Sequence, residues 1–150
     1  MTAGVLVDTN VLLRLDDPAI LDHLRSLRDA GHALVTAPQC IAEAWVVATR
    51  PLDRNGLEMS ADDAARLLDG MERVVDVRPE PAASYATWRR IVRACGIVGV
   101  RAHDARLAAF AADHGLEGVV TLNPSDFVEP ARRLGLRVHV AGTATVYVGV

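Results

Sequence analysis

Short apolar runs alternate along the chain with longer amphipathic segments, a pattern typical of strands and helices in turn. Five runs are too brief and too rich in β-branched residues for helices, so they predict strands at 4–8, 33–36, 74–77, 118–122 and 136–140. The segments between them predict helices at 17–31, 37–49, 60–73, 81–95 and 101–114. Strands alternating with helices favour an α/β fold, in which helices cover both faces of a parallel sheet.

Turn and cap residues mark the ends of several predicted helices. Pro18 stands at the first position of one helix, and Gly31 follows its last turn. Pro51 stops the next helix, while Ser60 with Asp63 resembles a capping box at the start of the one after. These boundaries agree with the strand positions and leave only short connections.

The 150 residues have the length of one domain, and we predict a single domain over 1–150 with its core at about 4–140. Residues 141–150 form a C-terminal extension that alternates between polar and apolar positions. This pattern predicts either an edge strand or an ordered tail.

The composition is 51% hydrophobic and 23% charged, which supplies a core and excludes intrinsic disorder. Charged residues interrupt every apolar run, so no stretch of about 20 residues could span a bilayer. The first strand begins almost at the first residue, and no secretion signal precedes it, so we expect a cytoplasmic protein without membrane contact.

The two cysteines, Cys40 and Cys95, lie far apart and neither has a second cysteine nearby. This spacing excludes a zinc knuckle and a CxxC redox site, and we expect two reduced, buried thiols.

All 16 basic residues are arginine. The lack of lysine excludes a Walker phosphate loop, Schiff-base chemistry and the lysine of receiver-type phosphorelay domains.

Two acidic residues stand beside apolar segments. Asp8 ends the first strand, where open α/β sheets bind ligands, although an Asp there can equally cap the next helix. Glu43 lies in a helix that is apolar nearly all round, beside Cys40, Val46 and Val47, so we expect that helix to be buried. A buried carboxylate must be protonated, paired or bound to a metal. The alternative is a Glu at the helix rim that reaches water.

Two further acids follow later elements. Asp104 lies in the first turn of its helix, where the helix dipole alone would favour an acid. Its neighbours Ala108 and Ala111 are small, so that face can approach the sheet closely. Asp126 follows the fourth strand and could cap the short helix after it, or it could face Asp8 if the first and fourth strands are neighbours.

Several carboxylates in one pocket repel each other and raise each other's pKa, and a divalent cation removes that penalty. Ligation by oxygen alone favours Mg²⁺ or Mn²⁺ over zinc. We therefore predict a catalytic and metal-binding cluster made of Asp8, Glu43, Asp104 and Asp126.

The motifs that carry these acids resemble those of the PIN-domain ribonucleases, and in particular the VapC toxins of bacterial toxin–antitoxin pairs. They are Val-Asp-Thr-Asn at 7–10, the helical Glu43, His-Asp-Ala-Arg-Leu-Ala-Ala at 103–109 and Thr-Leu-Asn-Pro-Ser-Asp-Phe at 121–127. The loop at 49–56 is similar to the one that follows the Glu helix in many VapC proteins. The resemblance runs from about residue 4 to about residue 140.

The resemblance implies a three-layer α/β sandwich whose parallel sheet has the order 3-2-1-4-5. It also implies endonucleolytic cleavage of RNA that depends on Mg²⁺ or Mn²⁺, a VapB-type antitoxin that blocks the site, and a homodimer. One or two ions would be held by Asp8 and Asp104 most directly, with Asp126 and Glu43 completing the ring directly or through water. The residues expected to orient carboxylates and waters are Thr9, Asn10, Thr121 and Asn123.

The net charge of −3 is unusual for a protein that binds nucleic acid. Without the four proposed ligands, however, 15 of the 19 acidic residues remain against 16 basic ones, so the rest of the surface need not repel RNA. Each arginine near the proposed site can contact a phosphate or simply be solvated. These candidates are Arg50, Arg54, Arg89, Arg90, Arg93, Arg101 and Arg106.

Two aromatic residues, Tyr85 and Trp88, lie at helical spacing. We expect both in the core, with stacking on RNA bases as the alternative.

Other functions agree with parts of the pattern. A non-catalytic module could use the acidic pocket only to hold a cation or a partner's arginine. A phosphatase of the haloacid-dehalogenase type would use Asp8 as nucleophile, but that chemistry needs a second Asp where Asn10 stands and usually a lysine. A DNA nuclease is a third alternative.

Overall fold

The computed structural model describes residues 3–149. Its strands are β1 (Gly4–Val7), β2 (Ala33–Thr36), β3 (Asp76–Val77), β4 (Gly118–Thr121), β5 (Arg137–Val140) and β6 (Val146–Val148). They form one sheet in the order β3-β2-β1-β4-β5-β6. The first five strands are parallel and β6 is antiparallel to β5. This confirms the predicted α/β fold and strand order, to which β6 adds a sixth strand.

The helices are α1 (Thr9–Leu12), α2 (Pro18–Asp29), α3 (Pro38–Thr49), α4 (Ala61–Glu72), α5 (Ser84–Ala94), α6 (Arg101–Asp113) and α7 (Val128–Leu134). Short 3₁₀ turns occur at Leu52–Arg54 and Pro124–Asp126. Right-handed crossovers between parallel strands put α2, α3 and α4 on one face of the sheet and α5, α6 and α7 on the other. In agreement, α3 packs against α4, and α6 packs against both α5 and α7.

The strand β1 lies inside the sheet, between β2 and β4, and its residues Val5, Leu6 and Val7 are fully buried. The chain moves to one side of β1 to form β2 and β3, and it forms β4 and β5 on the other side. The direction in which successive strands are added to the sheet therefore reverses between β1 and β4. At such a point, open α/β sheets form a crevice at the carboxyl ends of their strands.

Three local details differ from the expectations or decide between them. The third strand is two residues long, because the N–H groups of Val74 and Val75 still bond to the carbonyl oxygen of Met71 at the end of α4. The four-residue helix α1 is too short to leave a periodic pattern in the sequence. In the C-terminal extension, Val146–Val148 pairs with β5, so the edge-strand alternative holds there. Val150, the end of that extension, lies outside the described residues.

The expectation that α3 is a buried helix is wrong for its outer face. Its inward stripe of Cys40, Ala44 and Ala48 is fully buried, while Val46 is 53% exposed. The helix lies in an outer layer, where only the face with small side chains meets its neighbours. The Glu43 side chain is accordingly half-buried.

The expectation that both aromatic residues of α5 belong to the core is also wrong. Tyr85 is 58% exposed and Trp88 is half-buried. The face that α5 turns inward carries Ser84 and Thr87, whose hydroxyls donate hydrogen bonds of 2.8 and 3.1 Å to the carboxylate of Asp113 on α6. A polar contact with the neighbouring helix thus sets the rotation of α5.

Both cysteines are unpaired; Cys40 is buried and Cys95 is partly exposed. Burial raises the pKa of the Cys40 thiol to about 11, with the nearby Asp8 carboxylate adding to the rise, so this thiol stays protonated and unreactive.

Within residues 3–149, no helix is both long and apolar enough to cross a membrane.

Candidate active site

A cavity of about 800 Å³ opens at the edge of the sheet where β1 ends. Three of the four predicted acids, Asp8, Glu43 and Asp104, line it. Asp126 is outside the lining, but its charge is close enough to raise the pKa of both Asp8 and Asp104. The fold therefore gathers acids from the first strand, two helices and the loop after β4 at one place.

Asp8 is buried and uses both carboxylate oxygens. Its Oδ1 accepts a 2.8 Å hydrogen bond from the backbone N–H of Thr9, so Asp8 caps α1. Its Oδ2 accepts a 2.8 Å hydrogen bond from the hydroxyl of Thr121, at the end of β4. Asp8 therefore caps α1 and lines the cavity at the same time, so the two roles predicted for it do not exclude each other.

The electrostatics of Asp8 oppose its ionisation in the metal-free protein. Burial raises its pKa most, and the carboxylates of Glu43 and Asp126 raise it further. The hydrogen bonds from Thr121 and Thr9 act in the opposite direction but do not cancel the rise.

Glu43 is held at both oxygens. The Thr9 hydroxyl donates to Oε2 at 3.1 Å, and the side-chain amide of Gln39 donates to Oε1 at 3.1 Å. The same amide nitrogen lies 3.1 Å from the carbonyl oxygen of His103 on α6. Glu43 is therefore neither deeply buried nor a loose rim residue, because its position is fixed from two sides.

Gln39 also lines the cavity, and sequence reasoning missed it because it is not acidic. The only signal was its position one helical turn before Glu43. Its Oε1 is buried and has no hydrogen-bond partner within the described part of the chain.

Asp104 lies in the first turn of α6. Ala108 and Ala111 are fully buried, and α6 packs against β1 and β4, as their small size predicts. The pKa of Asp104 is raised to about 7 by burial first and then by the carboxylates of Asp8, Asp126 and Glu43, while Arg101 opposes the rise. The charges of the other three acids therefore all reach Asp104.

Asp126 ends a 3₁₀ turn after β4. The helix that follows, α7, has Phe127 at its N-cap position and no side-chain hydrogen bond there. Asp126 is therefore not the cap of that helix, which removes the alternative role for it.

The residues expected to orient carboxylates join the ends of β1 and β4. The Asn10 amide oxygen accepts from the Leu122 N–H at 3.2 Å, and the Asn10 amide nitrogen lies 3.5 Å from the Thr121 hydroxyl. That hydroxyl also accepts from the Asn123 N–H at 3.0 Å. Thr9, Asn10 and Asn123 line the cavity, whereas Thr121 is completely buried behind it.

The structure separates the candidate arginines. Arg50 and Arg106 line the cavity, and Arg101 is close enough to Asp104 to lower its pKa. Arg54, Arg89, Arg90 and Arg93 are exposed and are not among the lining residues.

The loop after α3 holds Arg50 in place. Its Nη2 donates to the carbonyl oxygen of Asn55 at 3.0 Å, and its buried Nε has no hydrogen-bond partner among residues 3–149. Gly56 passes so close that a Cβ there would overlap the Arg50 carbonyl. The loop thus fixes the backbone and the guanidinium of Arg50, a residue that lines the cavity.

The site contains the donor types that Mg²⁺ and Mn²⁺ prefer. In residues 3–149, no three His, Cys, Asp or Glu side chains lie close enough to ligate one ion directly. A hydrated Mg²⁺ needs only one or two direct carboxylates and reaches the others through water. Burial, and then repulsion between the carboxylates, raises the pKa of both Asp8 and Asp104. A bound cation would offset both effects, so the residues fit it.

A family model described as PIN domain matches residues 5–132. This range contains all four acids. Among curated proteins, none matches the chain.

Solved structures share the fold at low sequence identity. A DNA-bound VapBC structure from Salmonella typhimurium has a TM-score of 0.69 at 17% identity, covering 91% of this chain and 97% of the other. FitAcB from Neisseria gonorrhoeae has a TM-score of 0.61 at 22% identity, covering 91% and 96%. VapBC2 from Rickettsia felis, bound to a DNA fragment of its promoter, has a TM-score of 0.63 at 15% identity, covering 82% and 90%. The sheet and its layers are therefore those of a known architecture.

Proposed function

Because the chain belongs to the PIN domain family, we propose that it is a metal-dependent endoribonuclease toxin of the VapC type. Its reaction is the hydrolysis of phosphodiester bonds in RNA, with Mg²⁺ or Mn²⁺ as the cofactor and one or two ions in the site. The acidic residues that carry the activity are Asp8, Glu43, Asp104 and Asp126.

The observation that carries this proposal is the convergence of the four acids, three of which line one cavity. The carboxylates of Asp8, Glu43 and Asp126 all raise the pKa of Asp104, although the four residues come from distant parts of the sequence. A protein without a cation to bind gains nothing from such repulsion, which lowers its stability. The acids also stand at the point where the strand order reverses, which is the usual ligand site of an open α/β sheet.

Asp8 and Asp104 would hold the cation most directly, with Glu43 and Asp126 acting directly or through water. When bound, a divalent cation lowers the pKa of a water and offsets the charge that develops on the phosphodiester. The hydroxyls of Thr9 and Thr121 orient the carboxylates of Glu43 and Asp8.

The groups that meet the RNA come from the same edge of the sheet. The Gln39 amide links Glu43 to the start of α6 and so fixes the width of the cavity. Arg50 and Arg106, which line the cavity, contribute positive charge for the phosphates that flank the scissile bond. Arg101 is expected to act beside Asp104, and Arg54, Arg89 and Arg93 would contact phosphates farther along the strand.

We further propose a VapB-type antitoxin as partner, a homodimeric assembly and a cytoplasmic location. The solved relatives named VapBC and FitAcB support the partner, since this chain has their fold. The cavity also has an apolar side, on which Leu13 and the 53% exposed Val46 lie, and a protein segment can cover it.

The proposal is tested by incubating the purified protein with single-stranded RNA, transfer RNA and single-stranded DNA, each with Mg²⁺ and with EDTA. Cleavage of RNA that requires Mg²⁺ is expected. Cleavage of DNA alone would identify a DNA nuclease. Binding of a cation without cleavage of any nucleic acid would identify a non-catalytic module.

A further inference from the structure

A second cavity, of about 320 Å³, adjoins the acidic one. The two cavities share His103 and Arg106 in their linings, so they lie on either side of these two residues. The complete lining of the smaller cavity is Glu80, Tyr85, Trp88, Ala102, His103 and Arg106. We name it the aromatic cavity.

Two aromatic rings form one side of the aromatic cavity. The ring centroids of Tyr85 and Trp88 are 6.3 Å apart and their planes are inclined by 46°. The indole N–H of Trp88 donates a 2.8 Å hydrogen bond to the carbonyl oxygen of Ala102, two residues before Asp104. This bond fixes the indole against the first turn of α6, and therefore at a constant distance from the acidic site. Tyr85 is 58% exposed, so its ring is accessible.

The rim of the aromatic cavity carries an ion pair. Arg106 donates from Nε and Nη2 to Oε2 of Glu80, at 2.9 and 2.6 Å. Glu80 Oε1 and Arg106 Nη1 take no part in this pair. The first can accept from the N–H groups on the edge of a nucleobase, and the second can donate to a phosphate oxygen.

We propose that the aromatic cavity binds one unpaired nucleobase of the RNA strand whose backbone lies in the acidic cavity. This inference rests on the proposed function and adds to it a subsite for one base, beside the acidic cavity. A base offers both a π-face for the rings and an N–H edge for the carboxylate, whereas an aliphatic side chain of a protein would use only the rings. A base that is paired in a duplex cannot enter such a cavity without being unpaired.

The test uses single-stranded octaribonucleotides that carry 2-aminopurine at successive positions, titrated into the full-length protein with Ca²⁺ in place of Mg²⁺ to slow cleavage. At one or two positions the 2-aminopurine emission falls on binding, because the base stacks on an aromatic ring. Tyr85→Ala abolishes this quenching and weakens RNA affinity about 10-fold, within the range expected for one lost stacking contact. Tyr85→Phe keeps the ring and preserves both signals.

Tyr147→Ala is the matched control, since Tyr147 is another exposed tyrosine, 46% exposed, but lies on β6 at the far edge of the sheet. It should bind RNA like the wild type, and all three variants should unfold at the wild-type temperature.

The outcomes separate this inference from the proposed function. In one outcome, Tyr85→Ala binds RNA and quenches 2-aminopurine like the wild type, and RNA is still cleaved with Mg²⁺. The inference is then wrong, the proposed function stands, and the aromatic cavity would bind a protein partner instead. If stacking is seen without any cleavage in Mg²⁺, the inference stands and the proposed catalysis is wrong. If the wild type binds no RNA, both are wrong.

Discussion

The hydroxyl of Thr121 donates a 2.8 Å hydrogen bond to Oδ2 of Asp8, although 113 positions separate the two residues. The bond joins the carboxyl ends of β1 and β4, on either side of the point where the strand order reverses. It also lowers the pKa of Asp8, against the effect of burial. Thr121 therefore helps to keep Asp8 ionised, in the state that a cation requires.

Thr121→Val removes this donor while nearly preserving the volume of a fully buried side chain. The pKa of Asp8 should rise further, so RNA cleavage at pH 7 should fall about 10-fold and recover at higher pH or higher Mg²⁺ concentration. The measurement is the initial cleavage rate as a function of both variables. Thr121→Ser, which retains the hydroxyl, is the control, and an unchanged Mg²⁺ dependence in Thr121→Val would contradict this role.

Asp104 should make the metal-free protein less stable as the pH rises. Its pKa is raised from 3.8 to about 7 in the folded state, so between these values the folded state binds more protons than the unfolded state. Stability from this group is present below about pH 4 and is lost as the pH rises through about 7.

Asp104→Asn should remove this loss of folding stability at high pH. In EDTA, its midpoint of thermal unfolding should exceed that of the wild type at pH 8, and the difference should shrink towards pH 4. Each 1 kcal/mol corresponds to about 2–4 °C for a chain of this size. Mg²⁺ should then raise the wild-type midpoint at pH 8 more than that of the variant. A difference that is the same at both pH values would show that charge repulsion is not its cause.

Gln39 should act through Glu43, because its amide donates to Oε1 of that carboxylate. Gln39→Leu should lower kcat for RNA cleavage about 10-fold, as expected when a group that orients a ligand is lost. In a double-mutant cycle, Gln39→Leu should add little once Glu43→Gln is present. Fully additive losses in kcat would mean that Gln39 contacts the substrate independently.

Much of the fold follows from the sequence because a parallel sheet demands short, β-branched, fully buried runs, and Gly4–Val7 and Gly118–Thr121 have that pattern. The strand order itself came from the family resemblance, since periodicity does not state which strands are neighbours. The position of each acid after a strand or in the first turn of a helix indicated one edge of the sheet, and the structure brings three of them into one cavity.

The details that the sequence did not indicate depend on contacts between distant elements. Helical spacing put Tyr85 and Trp88 on one face but could not say whether that face turns inward. The answer depends on Asp113 of a neighbouring helix, which binds Ser84 and Thr87 instead. The role of Gln39 could not be predicted for the same reason. One of its partners, Glu43, lies on its own helix, but the other lies at the start of α6.

Arg50 should contribute to RNA affinity through a phosphate contact, since this positively charged residue lines the acidic cavity. Arg50→Ala should weaken RNA binding and reduce the slope of log affinity against log salt concentration by about 1. Arg25→Ala is the control, because Arg25 lies on α2 and faces Asp22 at 3.8 Å, outside the lining of the cavity. Equal salt slopes in the wild type and Arg50→Ala would contradict a phosphate contact.

The central claim is that the acids of this cavity hold a divalent cation, and calorimetric titration with Mn²⁺ tests it most directly. The wild type should bind Mn²⁺ more tightly at pH 8 than at pH 6, because Asp104, with its pKa of about 7, must lose a proton first. Asp8→Asn and Asp104→Asn should each weaken binding about 10-fold or more. Asp22→Asn, which removes an equal charge from an exposed side chain, should leave the affinity unchanged. Equal Mn²⁺ affinities in the wild type and Asp8→Asn, or no binding by the wild type at millimolar Mn²⁺, would contradict the account.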